Sequence, residues 1–442
     1  MAGMKSGPAV QLPVGERARR RVMRRLIPFL FLLYIVAFLD RVNVGYAALE
    51  MAQDLGFSAA VYGFGAGIFF LGYFLLEIPG TLLVETWSAR GWIARIMITW
   101  GLLAVLMGFI HTEGHFYWVR FLLGAAEAGF FPGVIVYMRH WFLYEDRAKS
   151  MALFMAAIPL VNVLGAPVSG LLLDVNWLGL EGWRWLFILE GAPAIVLGVV
   201  TIFYLTDRPH QAKWLPDEER QWLIAQLARE RQHLGGLHSR DIWKALRHRE
   251  VLVAALAYFF VVTGNYGLNF WLPTFIKKLS GLPNLSVTLL VALPYAVALL
   301  VMLAVGWSSD RTRERRWHTV GSMALASLGL LLSALAEDQL GLSLAMFCVA
   351  AAGLSAYLPC FWSLTTNFLA GPAAAAAIGL INSVGNLGGF AGPYAVGYVT
   401  TATGSSYGGV LYLSGSVLVA ICLVLTLRHT RPQPGTPGGE HG

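Results

Sequence analysis

Charge is what this chain has least of. Aspartate, glutamate, lysine and arginine make up 13% of 442 residues, against 57% apolar, and mean hydropathy is +0.62. An ordinary soluble domain carries about a quarter charged residues, so a soluble fold is excluded. Cysteine is nearly absent: Cys348, Cys360 and Cys422 all lie in long apolar stretches, without metal-ligand or redox spacing. The ten histidines form no HExxH pair, and no glycine-rich loop ends in Gly-Lys-Ser/Thr. Neither a zinc enzyme nor an ATP-driven pump is supported, and an enzyme is not expected. Basic residues sit in short scattered loops without an aromatic-interleaved soluble domain, so the net charge of +7 does not point to nucleic acid.

Long apolar runs are what is there. A hydrocarbon core of roughly 30 Å needs about 20 apolar residues per crossing helix. Twelve such segments fall near 27–47, 60–84, 92–111, 116–138, 151–173, 185–205, 251–276, 286–308, 318–336, 340–366, 373–399 and 407–427. The first is too long for a signal peptide, carries Asp40-Arg41 and lacks a cleavage site. An all-α polytopic membrane protein is predicted, laid out as six plus six. Its parts are a tail (1–26), a first bundle (27–205), a linker with an amphipathic helix (206–250), a second bundle (251–427) and a disordered tail (428–442). In the linker, Pro216 precedes three acids, and Trp222, Leu223 and Leu227 share one face. Of the 32 lysines and arginines, only Arg184, Lys277, Lys278, Arg41 and Arg120 fall outside the segments on the side of the two termini. The positive-inside rule therefore places both termini in the cytoplasm of a cell (inner) membrane and puts basic loops against anionic lipid. The lipid bilayer is the expected partner, and a monomer is the expected state.

Among the ionisable residues inside these runs, four are singled out: Asp40, Arg41, Arg120 and Glu127. Each charge at a bilayer centre costs about 2.5–3.5 kcal/mol on insertion scales, so they must pair or face a polar cavity. Arg120 and Glu127, seven residues apart, return to nearly one helix face about 10 Å apart along the axis. Asp40 and Arg120 share a depth, which predicts that they pair, with Glu127 a layer deeper. An arginine beside a carboxylate can be released when the acid takes a proton, and can then grip a carboxylate ligand at two points. Proton binding and anion binding then favour each other. No cofactor is expected beyond the proton as coupling ion, and the expected partner is a small organic carboxylate.

Two loops carry an internal repeat. GWSSDRTRERRW (Gly306 to Trp317) holds Asp310 and Arg311, and TLLVETWSARGW (Thr81 to Trp92) holds Glu85 and Arg90. These resemble the loop motif G-x-x-x-D-R-x-G-R-R of the major facilitator superfamily. The first copy departs from it, with Thr81 for Gly and Glu85 for Asp. The resemblance implies that Glu85, Arg90, Asp310 and Arg311 gate conformation through an acid at a helix end.

The stretches LDRVNVGYAALEM, FFLGYFLLEIPG, RFLLGAAEAGFFPG, YGLNFWLPTFIKKLSGL and GLINSVGNLGGFAGPYAVG narrow this. They resemble the anion:cation symporter family, in the branch associated with tartrate, phthalate and hydroxyphenylacetate uptake. The resemblance runs from the first span to the twelfth and implies a 6+6 fold and proton-coupled uptake of an organic anion. By it, Asp40 and Glu127 are proton-coupling acids, Arg41 and Arg120 belong to the binding centre, and Tyr73 and Asn382 line the cavity. Asn265, Asn269 and Trp271 are further cavity candidates. Glu77, beside Pro79, reads as a helix-kink partner or a gate, with the kink preferred. An uncoupled exchanger or facilitator, or a non-transporting receptor on the same fold, is the alternative.

Overall fold

A computed structural model describes residues 13–232, 247–336, 339–367 and 374–427, and among them every regular element is helical. The first half contains α1 (Val14–Asp54), α2 (Ala59–Thr86), α3 (Ala89–Met107), α4 (Glu113–Glu127), α5 (Phe130–Trp141), α6 (Tyr144–Met155), α7 (Ala157–Leu173) and α8 (Gly182–Tyr204). After α9 (Asp217–Gln232) come α10 (Arg249–Ser280), α11 (Asn284–Thr312), α12 (Arg316–Leu335), α13 (Leu340–Asn367), α14 (Ala374–Asn386), α15 (Gly388–Thr403) and α16 (Tyr407–Thr426). Residues 1–12, the end of the linker at 233–246 and the tail at 428–442 lie outside the described residues.

Among the described residues, eleven helical stretches are long and apolar enough to cross a membrane. Two of these are broken helices, α4 with α5 and α6 with α7. The expected crossing at 373–399 is split at Leu387 into α14 and α15, neither long enough alone. The α4/α5 break has a local cause. Gly129, two residues after Glu127, takes φ +84°, which a side chain resists.

α1 begins well before the apolar run that predicts it. Its basic first turns dock on the linker helix and on the start of α6. Arg17 pairs with Glu218 (2.9 Å), Arg21 with Glu219 (2.9 Å) and Arg19 with Asp146 (2.7 Å). The predicted face of α9 is the one that packs: Leu223 and Leu227 are buried, and the Trp222 ring lies where a side chain on Gly15 would be. Arg17, Arg20, Arg21, Arg24 and Arg25 also line a pocket of about 480 Å³ with Tyr204 and Trp214.

The two sets of helices meet through α2 on α15, α7 on α11 and α1 on α10. The contacts lie toward the end away from the termini. A Cβ on Gly63 would fall 2.4 Å from the Pro393 carbonyl oxygen, and one on Gly170 would fall 1.9 Å from the Thr288 hydroxyl. Ala60 N–H donates to Thr401 (2.9 Å), Tyr62 to the Phe270 carbonyl (2.8 Å) and Asn284 to Glu50 (2.6 Å). Small residues let helix backbones approach closely where lipid offers no competing hydrophobic drive.

Candidate functional site

Adjacent residues on a helix point about 100° apart, and that rotation sorts the charges of α1. Arg41 turns toward α4 and α2, where its guanidinium bonds the Glu127 carboxylate and lies 5.1 Å from the Tyr73 ring centre and 5.6 Å from that of Phe69. Arg120 is fully buried and approaches the same Phe69 ring at 4.9 Å. Its Nε and Nη2 donate to the carbonyls of Gly65 and Ala66 (3.4 and 3.1 Å). Phe69 therefore has a cation on each of two approaches, an arrangement worth more where water is excluded.

The expected Asp40–Arg120 pair does not form. Asp40 turns into the first set of helices, with Asn43 Nδ2 at 3.3 Å and the indole of Trp100 alongside. The ion pair at this depth is Arg41 with Glu127 instead. Depth along the axis was predictable from sequence; rotation about it depends on packing among α1, α3 and α8.

Tyr73 stands beside the central group, its ring under the Arg41 guanidinium. Asn382 is placed one layer nearer the termini, where its Nδ2 donates to Glu77 Oε1 (2.9 Å) and the neighbouring Ser383 hydroxyl donates to Glu77 Oε2 (2.9 Å). Glu77 thus spans from α2 to α14 as a bridge between the two sets of helices, which goes beyond the kink role its neighbour Pro79 suggested. Asn269 Nδ2 donates to Asn265 Oδ1 (2.6 Å), Asn265 donates to the Leu354 carbonyl (3.2 Å), and Tyr295 donates to Asn269 Oδ1. These two half-buried amides form a polar strip within the second set. Trp271 is not with them. Its indole N–H is bonded to the Pro393 carbonyl (3.1 Å) and its ring packs edge-on to Tyr62, so it braces the closed end.

The loop motif is built differently from its expected form. The side chain of Glu85 lies outside the described residues. The acid at the start of α3 is Asp207, which follows α8 and was not singled out from the sequence. It accepts from Arg90 N–H (2.8 Å) and Ser88 Oγ (3.0 Å) and faces the Arg90 guanidinium (3.8 Å). A carboxylate at a helix N-terminus is favoured by the free N–H groups there. In the second copy Asp310, near the end of α11, pairs with Arg315, the residue that precedes α12 (2.6 Å), and Arg311 lies over Trp307 (5.3 Å). Phe69, Glu77 and Asp207 are the residues sequence reasoning missed or undervalued. The i, i+4 spacing of Phe69 and Tyr73 was the available signal for the first.

Among the described residues no cluster of three or more His, Cys, Asp or Glu could hold a metal ion. What the group offers is a guanidinium whose anion is a removable side-chain carboxylate, beside a phenol and an aromatic face. An external carboxylate could occupy the same donors once Glu127 lets go.

The chain is 48% identical over 420 residues to a "Putative tartrate transporter" of Agrobacterium vitis, covering 95% of this chain and 96% of the relative. It is 40% identical over 408 residues to a "Quinolone resistance transporter" of Acinetobacter baumannii, covering 92% and 93%. Its fold is similar to that of a bacterial homolog of the human lysosomal transporter Spinster, solved in an inward-facing and unoccupied conformation. The TM-score is 0.73 at 17% identity, covering 93% and 95% of the two chains. Residues 30–393 match the Major Facilitator Superfamily. The chain, a multi-pass membrane protein of two helical sets around a buried Arg41–Glu127 pair, belongs to the Major Facilitator Superfamily.

Proposed function

We propose that this protein takes up a small organic carboxylate, tartrate-like or aromatic, together with protons, by alternating access of a six-plus-six helix fold. The observation that carries the reading is the bond between Arg41 and Glu127, buried beside Tyr73 and Phe69. A proton on Glu127 weakens its hold on Arg41 and leaves the guanidinium for the carboxylate of the substrate, so the two bind together. The name of the Agrobacterium relative supports a hydroxy diacid as the first substrate to try.

The bias of basic residues supports termini in the cytoplasm of the inner membrane. With that orientation, contacts gathered at the far end describe an inward-facing protein, in which Glu77 lies between the central site and the cytoplasm. The arginine-lined pocket at the base of α1 supports contact with anionic inner-leaflet lipid. The gating role of Asp207, Arg90, Asp310 and Arg311 belongs to this reading too, as caps that hold loop ends in register during rocking.

Purified protein in liposomes, with labelled tartrate or phthalate outside and an imposed inward proton gradient, tests this. Accumulation above equilibrium that collapses with a protonophore is expected. Uptake indifferent to the gradient supports an uncoupled exchanger, and binding without flux supports a receptor. A quinolone moving outward in preference to any carboxylate moving inward would replace uptake with export.

A further inference from the structure

Glu190 is an acid that the central group leaves unused. It lies in α8, 3% exposed, where Ser169 Oγ of α7 donates to its Oε1 at 2.9 Å. Its Oε2 has no hydrogen-bond partner. Across from it on α1 stand Asp40, 2% exposed, and Asn43, 1% exposed, with Asn43 lying between the two carboxyls. Asp40 Oδ2 and Asn43 Oδ1 also lack partners. Three acceptor oxygens from two helices therefore gather in one buried region with few donors, the Asn43 amide facing Glu190 and the Trp100 indole facing Asp40.

The groups around them offer little relief. From α1, Tyr46 is the other titratable neighbour of Glu190, and from α3 the Trp100 indole N–H is the donor that faces Asp40. From α4, Arg120 and Glu127 act on Asp40 through space, but the Arg120 Nε and Nη2 groups are engaged by the carbonyls of Gly65 and Ala66. Among the described residues no cation forms an ion pair with Asp40 or Glu190. Two carboxylates buried together without a cation are costly as a pair of anions, and buried acceptors call for donors.

We propose that Glu190, Asp40 and Asn43 form a proton-binding site on the face of α1 turned away from Arg41, with Glu190 holding or sharing its proton. One O–H on this pair supplies the missing donor and removes the repulsion between the acids. The inference rests on the proton-coupled reading above and adds Glu190 to Asp40, already a proton-coupling candidate, as the partner that shares its proton away from Glu127. The two sites act on different contacts. A proton at Glu127 governs whether Arg41 is available, and a proton at Glu190 governs how α1 packs on α7 and α8.

Two measurements on the full-length protein test this. Infrared spectra of wild type, Glu190→Gln and Asp40→Asn in lipid at neutral pH report the C=O stretch of a buried carboxylic acid. The band should be present in wild type and lost or halved in Glu190→Gln. In Ser169→Ala, which keeps the acid but removes the bond to Oε1, the band should persist at higher frequency. A band identical in all four proteins overturns the proposal, and so does its absence from wild type. The second reading is the proton-to-tartrate ratio in liposomes, obtained from the voltage that just balances a fixed substrate gradient. Glu190→Gln should lower the ratio by one proton while uptake remains measurable. An unchanged ratio in Glu190→Gln, with wild type coupled to protons, overturns it. If wild type shows no proton coupling at all, the functional reading fails, while the infrared result still decides whether Glu190 carries a proton.

Discussion

At the scale of single residues, the behaviour of the centre follows from which oxygen each guanidinium meets. Glu127→Gln keeps shape and a carbonyl acceptor but cannot hold Arg41 as an ion. Gradient-driven accumulation should fall at least tenfold, while exchange of labelled for unlabelled substrate continues; equal accumulation in the variant would remove Glu127 from coupling. Arg120→Ala is a different case, because the guanidinium donates to two main-chain carbonyls of α2 from a fully buried position. Charge-assisted hydrogen bonds contribute about 1.5–3 kcal/mol each, so this variant should lose thermal stability in detergent as well as uptake. Loss of uptake with an unchanged melting temperature would make Arg120 a ligand group only. Arg41, Arg120 and Glu127 could be singled out in the sequence because charges in apolar runs stand out, whereas Tyr73 was named through the family resemblance. The pairing of the charges was not legible, since a rotation of about 100° between Asp40 and Arg41 decides it and only neighbouring helices fix that rotation. Glu190 escaped notice for a related reason: a single acid in an apolar stretch becomes informative once Asp40 is seen to face it.

Elements show where the sequence pattern reads well and where it stops. Length and hydropathy marked every crossing, and the linker helix with its Trp222, Leu223 and Leu227 face is found as read. The breaks inside crossings were not legible, because α4/α5 and α14/α15 keep their apolar character through the interruption. Gly129 and Gly124 separate two ways of depending on glycine. A side chain at Gly129 meets backbone strain at φ +84°, about 1–2 kcal/mol for a left-handed residue. A Cβ at Gly124 would lie 1.9 Å from the Phe69 carbonyl oxygen, which only helix separation relieves. Thermal unfolding should therefore rank wild type above Gly129→Ala and Gly129→Ala above Gly124→Ala; the reverse order would show that the break bears more than strain. The bridge from Glu77 to Asn382 and Ser383 gives a third test. Glu77→Ala should speed amide exchange in α14 while leaving α15, held by α2 and α10, unchanged. Equal protection of α14 in both proteins would mean that the bridge does not restrain it.

For the whole molecule, the six-plus-six plan was visible as twelve apolar runs and a repeated loop, whereas the conformation was not. Which end is closed depends on contacts between residues hundreds of positions apart, such as Ala60 with Thr401. Part of that closure is bare backbone. Gly63 abuts Pro393 and Gly397, and Gly67 abuts Phe390, with almost no side chain between them. Such a seam works like a door without a gasket: it shuts fully only while nothing thicker than a hydrogen atom stands in the jamb. Gly63→Leu should act as a doorstop, holding that end ajar while leaving Arg41 and Glu127 untouched. A cysteine placed at Asn269 for labelling would then react faster with a membrane-impermeant thiol reagent from the outer side, and substrate would bind without being carried through. A protein stopped at that point is a handle for selecting binders to the state that the present structure does not display.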